Sequence, residues 1–156
     1  MKTLILLLTL FSSTLYAFPK VPMINIAPGE LCTESNKDFD GYRYPDHVAH
    51  CRRNVTYETK NKICKLYGVL DRRDYTVDHI IPLSLGGSNS EKNLWCQSRK
   101  IITANLEYYY YRMVMQDKMR HATAIHALMA WKFNPEGKDH IPAPPDGVYY
   151  PDENFQ

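Results

Sequence analysis

Residues 78–94 read DHIIPLSLGGSNSEKNL, and the reading of this stretch decides the rest. It overlaps Tyr75 to Ile81 (YTVDHII), a run rich in β-branched and aromatic residues that predicts a strand. Pro82 has no backbone N–H to give, so regular pairing stops there, and Leu85-Gly86-Gly87-Ser88-Asn89 reads as a loop. Gly86 and Gly87 permit a tight backbone in that loop. Neighbours on a strand leave opposite faces, so the side chains of Asp78 and His79 diverge.

Working outward, a helix is expected from Thr56, whose hydroxyl can cap free amides, to Tyr67, with Gly68 as the residue that ends it. After Asn93-Leu94-Trp95 comes a helix of roughly Arg99 to Met115 with Ser98 as its cap. A further helix runs from about Met119 to Lys132, with Ile125, Leu128, Met129 and Lys132 at helical spacing. The order is helix, strand-loop-strand, helix, helix, which predicts a small α+β unit. Residues 18–50 contain Pro22 and Pro28-Gly29 and show no period, so they read as an irregular N-terminal arm. Residues 133–156 form a Pro-rich C-terminal tail.

The Asp-His block resembles the HNH nuclease family, through Asp78-His79, Pro82, Gly86-Gly87 and Asn93-Leu94 in that order and spacing. The resemblance implies a ββα-metal core within residues 51–132, with additional flanking helices, and looks like small exported bacterial members. It implies His79 and Asn93 as the catalytic pair: His79 as general base, Asn93 hydrogen-bonding across the loop to hold the His79 strand. It implies Asp78 as a metal ligand. The family places a closing histidine on the following helix, whereas here no histidine follows Asn93 until His121. Asn105 takes that role in this reading, with Gln97 and Glu107 in reserve. Such oxygen ligands point to one divalent ion, Mg²⁺ or Mn²⁺, with Zn²⁺ or Ni²⁺ as alternatives.

The first residues carry a different signal. Lys2, the apolar run Leu4 to Phe11 and a small residue at Ala17 make residues 1–17 a secretory signal peptide, cut near Ala17. The expected mature protein is exported, periplasmic or secreted, and not membrane-bound. In an oxidising compartment Cys32, Cys51, Cys64 and Cys96 predict two disulfides, with three pairings open. A zinc site of His47, His50, Cys51 and Cys64 is the alternative, although its spacing matches no finger pattern.

The 156-residue chain has a formal charge of +2, which hides opposed regions. Residues 52–73 hold seven Lys/Arg against two Asp/Glu, and residues 92–120 hold six against two, so basic segments flank the Asp-His block. Arg72, Arg73, Arg99, Lys100 and Arg112 are the candidate phosphate contacts. The expected activity is a metal-dependent endonuclease of low sequence specificity acting on DNA or RNA. The alternative is a non-catalytic nucleic-acid-binding protein with a degenerate HNH site. An immunity protein is an expected partner if the chain is a toxin, and oligomeric state stays open.

Overall fold

The computed structural model describes residues 21–44, 46–101 and 103–135. The expected signal peptide and most of the Pro-rich tail lie outside the described residues. In chain order the elements are strands β1 (Phe39–Arg43) and β2 (Val48–Cys51), helix α1 (Tyr57–Leu66), strands β3 (Tyr75–His79) and β4 (Leu94–Ser98), and helices α2 (Ala104–Met115) and α3 (His121–Phe133). The chain is α+β, with two two-stranded antiparallel sheets, β1-β2 and β3-β4, and three α-helices among the described residues. None of these helices is long and apolar enough to cross a membrane.

Helix α1 starts and stops where local chemistry says. The Thr56 hydroxyl accepts a hydrogen bond from the Thr59 amide at 3.2 Å, and Gly68 follows the helix at φ +76°. Ile63 and Cys64 are its buried face. They pack with Tyr67, Val69, Val77, Ile80, Leu94, Trp95 and Cys96 in one apolar cluster. A second cluster joins Ile81 and Leu85 of the loop to Tyr110 and Val114 of α2 and to Ala124, Ala127 and Leu128 of α3. Met129 touches both clusters, so α3 closes the seam where β3 meets its loop.

Several boundaries differ from expectation; β3 ends at His79 rather than Ile81, and α3 begins at His121. The N-terminal arm is not irregular throughout: residues 39–51 form the β1-β2 hairpin, whose register shifts between Phe39 and Tyr42. That shift in register breaks the period-two pattern by which a strand is read. Strand β4 continues through Ser98, and the Arg99 amide is bound to the Asp74 carbonyl at 2.9 Å, so α2 begins at Ala104 rather than Arg99. The Ser98 hydroxyl does not cap a helix and instead accepts from the Lys100 amide at 3.3 Å.

The disulfides pair Cys32 with Cys51 and Cys64 with Cys96. The first ties the arm to β2 and the second ties α1 to β4. With Cys51 and Cys64 so bonded, the zinc alternative with His47 and His50 is not formed; His47 stacks on Tyr42 instead, with ring centroids 4.4 Å apart.

Candidate active site

The centre of the site is the point where β3 runs into its loop. The β3-β4 ladder pairs Asp78 with Trp95 and His79 with Leu94, and the Ile80 amide then bonds the Asn93 carbonyl at 2.8 Å. Beyond that pair the Asn93 side chain takes over as the partner of Ile81. Its Oδ1 accepts from the Ile81 amide at 2.9 Å and from the Glu30 amide at 3.3 Å. Its Nδ2 donates to the carbonyls of Ile81 and Ser88, both at 2.9 Å. Both amide hydrogens and both acceptor positions are used, so Asn93 fixes backbone and has no polar capacity left for a substrate. The loop must close tightly on this amide. A Cβ on Gly87 would lie 1.8 Å from the Ile81 carbonyl oxygen and 2.8 Å from Asn93 Nδ2, which makes glycine obligatory there.

His79 is 2% exposed. Burial, opposed by the Asn89 hydrogen bond and helped by the nearby Arg53 charge, pushes its pKa down to about 4. The ring is therefore neutral at neutral pH. Its Nε2 lies 3.0 Å from Asn89 Oδ1. Asn89 Nδ2 is held by two acceptors, the Asp38 carboxylate and, at 2.7 Å, the Arg52 carbonyl. Because those acceptors require the NH₂ group, the Asn89 oxygen is the atom that faces His79. Nε2 therefore carries the proton and Nδ1 carries the lone pair. Such a ring can take a proton at Nδ1. Asp38 and Arg52 flank the β1-β2 hairpin, so the hairpin within the arm sets the tautomer of His79.

Asp78 faces the other way and meets a different environment. Its Oδ2 is 3.2 Å from Lys132 Nζ and 3.5 Å from the Thr103 hydroxyl. The same ammonium donates to the His79 backbone carbonyl and to Glu107 Oε1, each at 2.5 Å. The Lys132 side chain is wholly buried, while those of Asp78 and Glu107 retain 22% and 19% exposure. Burial works against the ammonium, yet Glu107 and Asp78 outweigh it and hold Lys132 charged above its usual range. Burial likewise pushes the Glu107 carboxyl up, against the pull of Lys132.

The remaining residues singled out from sequence sit elsewhere. Asn105 is exposed on α2, two residues before Glu107 and so roughly 200° around the helix from it. The side chain that α2 brings toward Asp78 is Glu107, through Lys132. Gln97 is buried on β4 with its Nε2 unpaired. Arg73 and Lys100 border an open hollow of about 550 Å³ with Asp71, Asp74, Tyr75 and Ser98. Tyr75 and Ser98 are four positions along the ladder from His79 and Leu94, about 13 Å away. Arg73 is ion-paired to Asp71 at 2.6 Å, Arg72 lies over the Tyr57 ring, and Arg112 lies over Tyr108. Arg99 is exposed at the same end of the hairpin. The basic residues whose charges act on His79 are Arg53, which no local motif marks, and, more weakly, Lys132.

A divalent ion at Asp78 fits this arrangement poorly. The carboxylate is engaged by a cation of the chain itself, Asn105 points elsewhere, and the described residues gather no group of three His, Cys, Asp or Glu side chains. No protein-family model matches the chain, and neither does any curated protein or solved structure.

Proposed function

We propose that the chain is an exported phosphodiester hydrolase that cuts DNA or RNA, with His79 as its general base. The reading that it is an HNH enzyme joins the Asp78-to-Leu94 pattern to the ββα order of β3, β4 and α2. The observation that carries it is the setting of His79: its Nε2 is held at 3.0 Å by Asn89 Oδ1, burial lowers its pKa, and the lone pair this leaves on Nδ1 is the one a base would use. A histidine kept only for packing gains nothing from a three-member chain that fixes which nitrogen is protonated. Asn93 and Gly87 act as positioning residues that hold the carbonyl and amide of Ile81, two positions beyond the base. Arg53 supplies positive charge where a phosphate would approach. Two disulfides suit the oxidising compartment to which an exported chain goes.

A second reading is favoured by one observation, the engagement of Asp78 by Lys132. A chain that kept the fold and lost its metal ligand set would bind nucleic acid without cutting it. The test is to incubate the mature chain with plasmid DNA and with RNA, in Mg²⁺, Mn²⁺ or EDTA, beside His79→Ala. The hydrolase reading expects cutting that His79→Ala slows by about 100-fold or more. Cutting that survives the substitution contradicts the base assignment, and retention of nucleic acid without cutting favours the second reading.

A further inference from the structure

The β1-β2 hairpin carries a charge cluster with no part yet in the proposed reaction. The register shift between Phe39 and Tyr42 lets Asp40 share a side of the hairpin with Arg43 and His50. Its carboxylate lies 3.1 Å from Arg52 Nε, 3.9 Å from the Arg43 guanidinium and 3.8 Å from His50 Nδ1. One carboxylate between two guanidinium groups leaves the cluster positive. Burial and both arginine charges lower the pKa of His50, whose Nδ1 is buried and has no hydrogen-bond partner among the described residues. The Arg43 and Arg52 side chains are 50% and 75% exposed, and among the described residues neither guanidinium donates a hydrogen bond. The cluster stands beside the candidate base. The Arg52 carbonyl accepts from Asn89 Nδ2 at 2.7 Å, and Asn89 Oδ1 lies 3.0 Å from His79 Nε2. Arg53, next in the chain, is the cation that acts most on His79. Val48 of β2 lies against the loop that follows His79, where a Cβ on Gly86 would come within 2.6 Å of Val48 Cγ1.

We propose that Arg43 and Arg52, held together by Asp40 with His50 beside them, form a phosphate subsite for a nucleic-acid strand that continues past His79. The proposal rests on the hydrolase reading for the identity of the strand, whereas the Asp78-to-Leu94 pattern does not reach the hairpin. Two exposed guanidinium groups repel each other and would spread apart in solvent; Asp40 keeps both within reach of one anion. A phosphate supplies the negative charge that the cluster lacks, and its oxygens accept from the planar donors of either arginine. Contacts of this kind fix the position of a strand and read no bases, which suits low sequence specificity. DNA and RNA present the same group to them.

The experiment measures binding of short fluorescein-labelled oligothymidylate and oligouridylate to the mature full-length chain by anisotropy in EDTA, with the probes checked for cutting on a gel. Arg43→Gln/Arg52→Gln is expected to bind both probes about tenfold more weakly and to reduce the slope of log affinity against log salt by about 1.4, the value for two phosphate contacts on a single strand. Arg72→Gln/Arg73→Gln, at the far end of the β3-β4 hairpin, is expected to bind as the parent does. Equal losses in the two double variants, or a loss in neither, overturn the proposal. Proton NMR of the His50 ring in the parent supplies a second reading. Oligothymidylate should raise the pKa of His50, because a phosphate offsets the Arg43 and Arg52 charges that face it, as Asp40 does in part. No rise overturns the subsite, and an equal rise from inorganic phosphate at the same phosphate concentration overturns its assignment to a strand. Binding that shows these differences without any cutting sinks the hydrolase reading and leaves the subsite standing. Binding and cutting by Arg43→Gln/Arg52→Gln that match the parent do the reverse.

Discussion

Asp78 and His79 are consecutive residues on one strand, and the protein surrounds them in opposite ways. On the His79 side, burial meets only neutral partners at the ring, so the imidazole gives up its charge. On the Asp78 side, burial meets two carboxylates, so the Lys132 ammonium keeps its charge. Burial alone therefore decides nothing about ionisation. What decides it is whether an opposite charge lies within hydrogen-bond reach. The alternation of a strand is what allows both environments within one peptide unit.

The contrast is broken most severely at Lys132. Lys132→Ala leaves two carboxylates and a carbonyl without their cation and should cost about 3–5 kcal/mol, read by urea denaturation. A loss below about 1 kcal/mol would mean that the three contacts do little in solution. Next comes acid. The folded pKa of His79 lies below its unfolded value of about 6.5, so the folded state binds fewer protons and stability falls as pH drops from about 6.5 through 4. The contribution is about 3 kcal/mol, and His79→Gln should flatten that part of the stability-pH curve; an unchanged curve would mean that His79 titrates normally.

Asn93→Ala strands the Ile81 amide and the Ser88 carbonyl inside the loop and should cost about 2–3 kcal/mol in the same denaturation experiment. The smallest stability effect is expected at Asn89. Asn89→Ala should cost about 1 kcal/mol while releasing the tautomer of His79, so cutting should fall much further than stability does. Parallel losses in the two would make Asn89 merely structural.

Much of the frame was legible because its causes are local. Thr56 and Gly68 bound α1 through hydrogen bonds and φ within their own turns, and the Gly86-Gly87 loop follows from a backbone that only glycine tolerates at residue 87. Asn93 was readable through the Asp-His to Asn-Leu pattern, and its amide does replace the strand partner of Ile81. The illegible parts are non-local. Lys132 lies 54 residues from Asp78, and its position in an apolar helical spacing gave no sign that its charge would be enclosed. Asp38 reaches Asn89 across 51 residues, from a hairpin whose register shift concealed it.

The basic candidates teach a geometric lesson. Arg72 and Arg73 precede β3, and Arg99 and Lys100 follow β4, so they flank the Asp-His block in sequence. An antiparallel hairpin brings its two outer ends together at the end away from its loop, and His79 is at the loop end. Flanking in sequence thus became separation in space. Arg53, just after β2, was brought near instead.

Everything proposed for the site depends on His79 standing as a neutral base with its proton on Nε2. Nitrogen-15 NMR of the histidine side chains at pH 7, with His79 assigned through His79→Gln, tests it directly. A protonated Nε2 and a bare, pyridine-type Nδ1 are expected, with a spectrum that stays so down to about pH 5. An imidazolium at pH 6, or the proton on Nδ1, would contradict it.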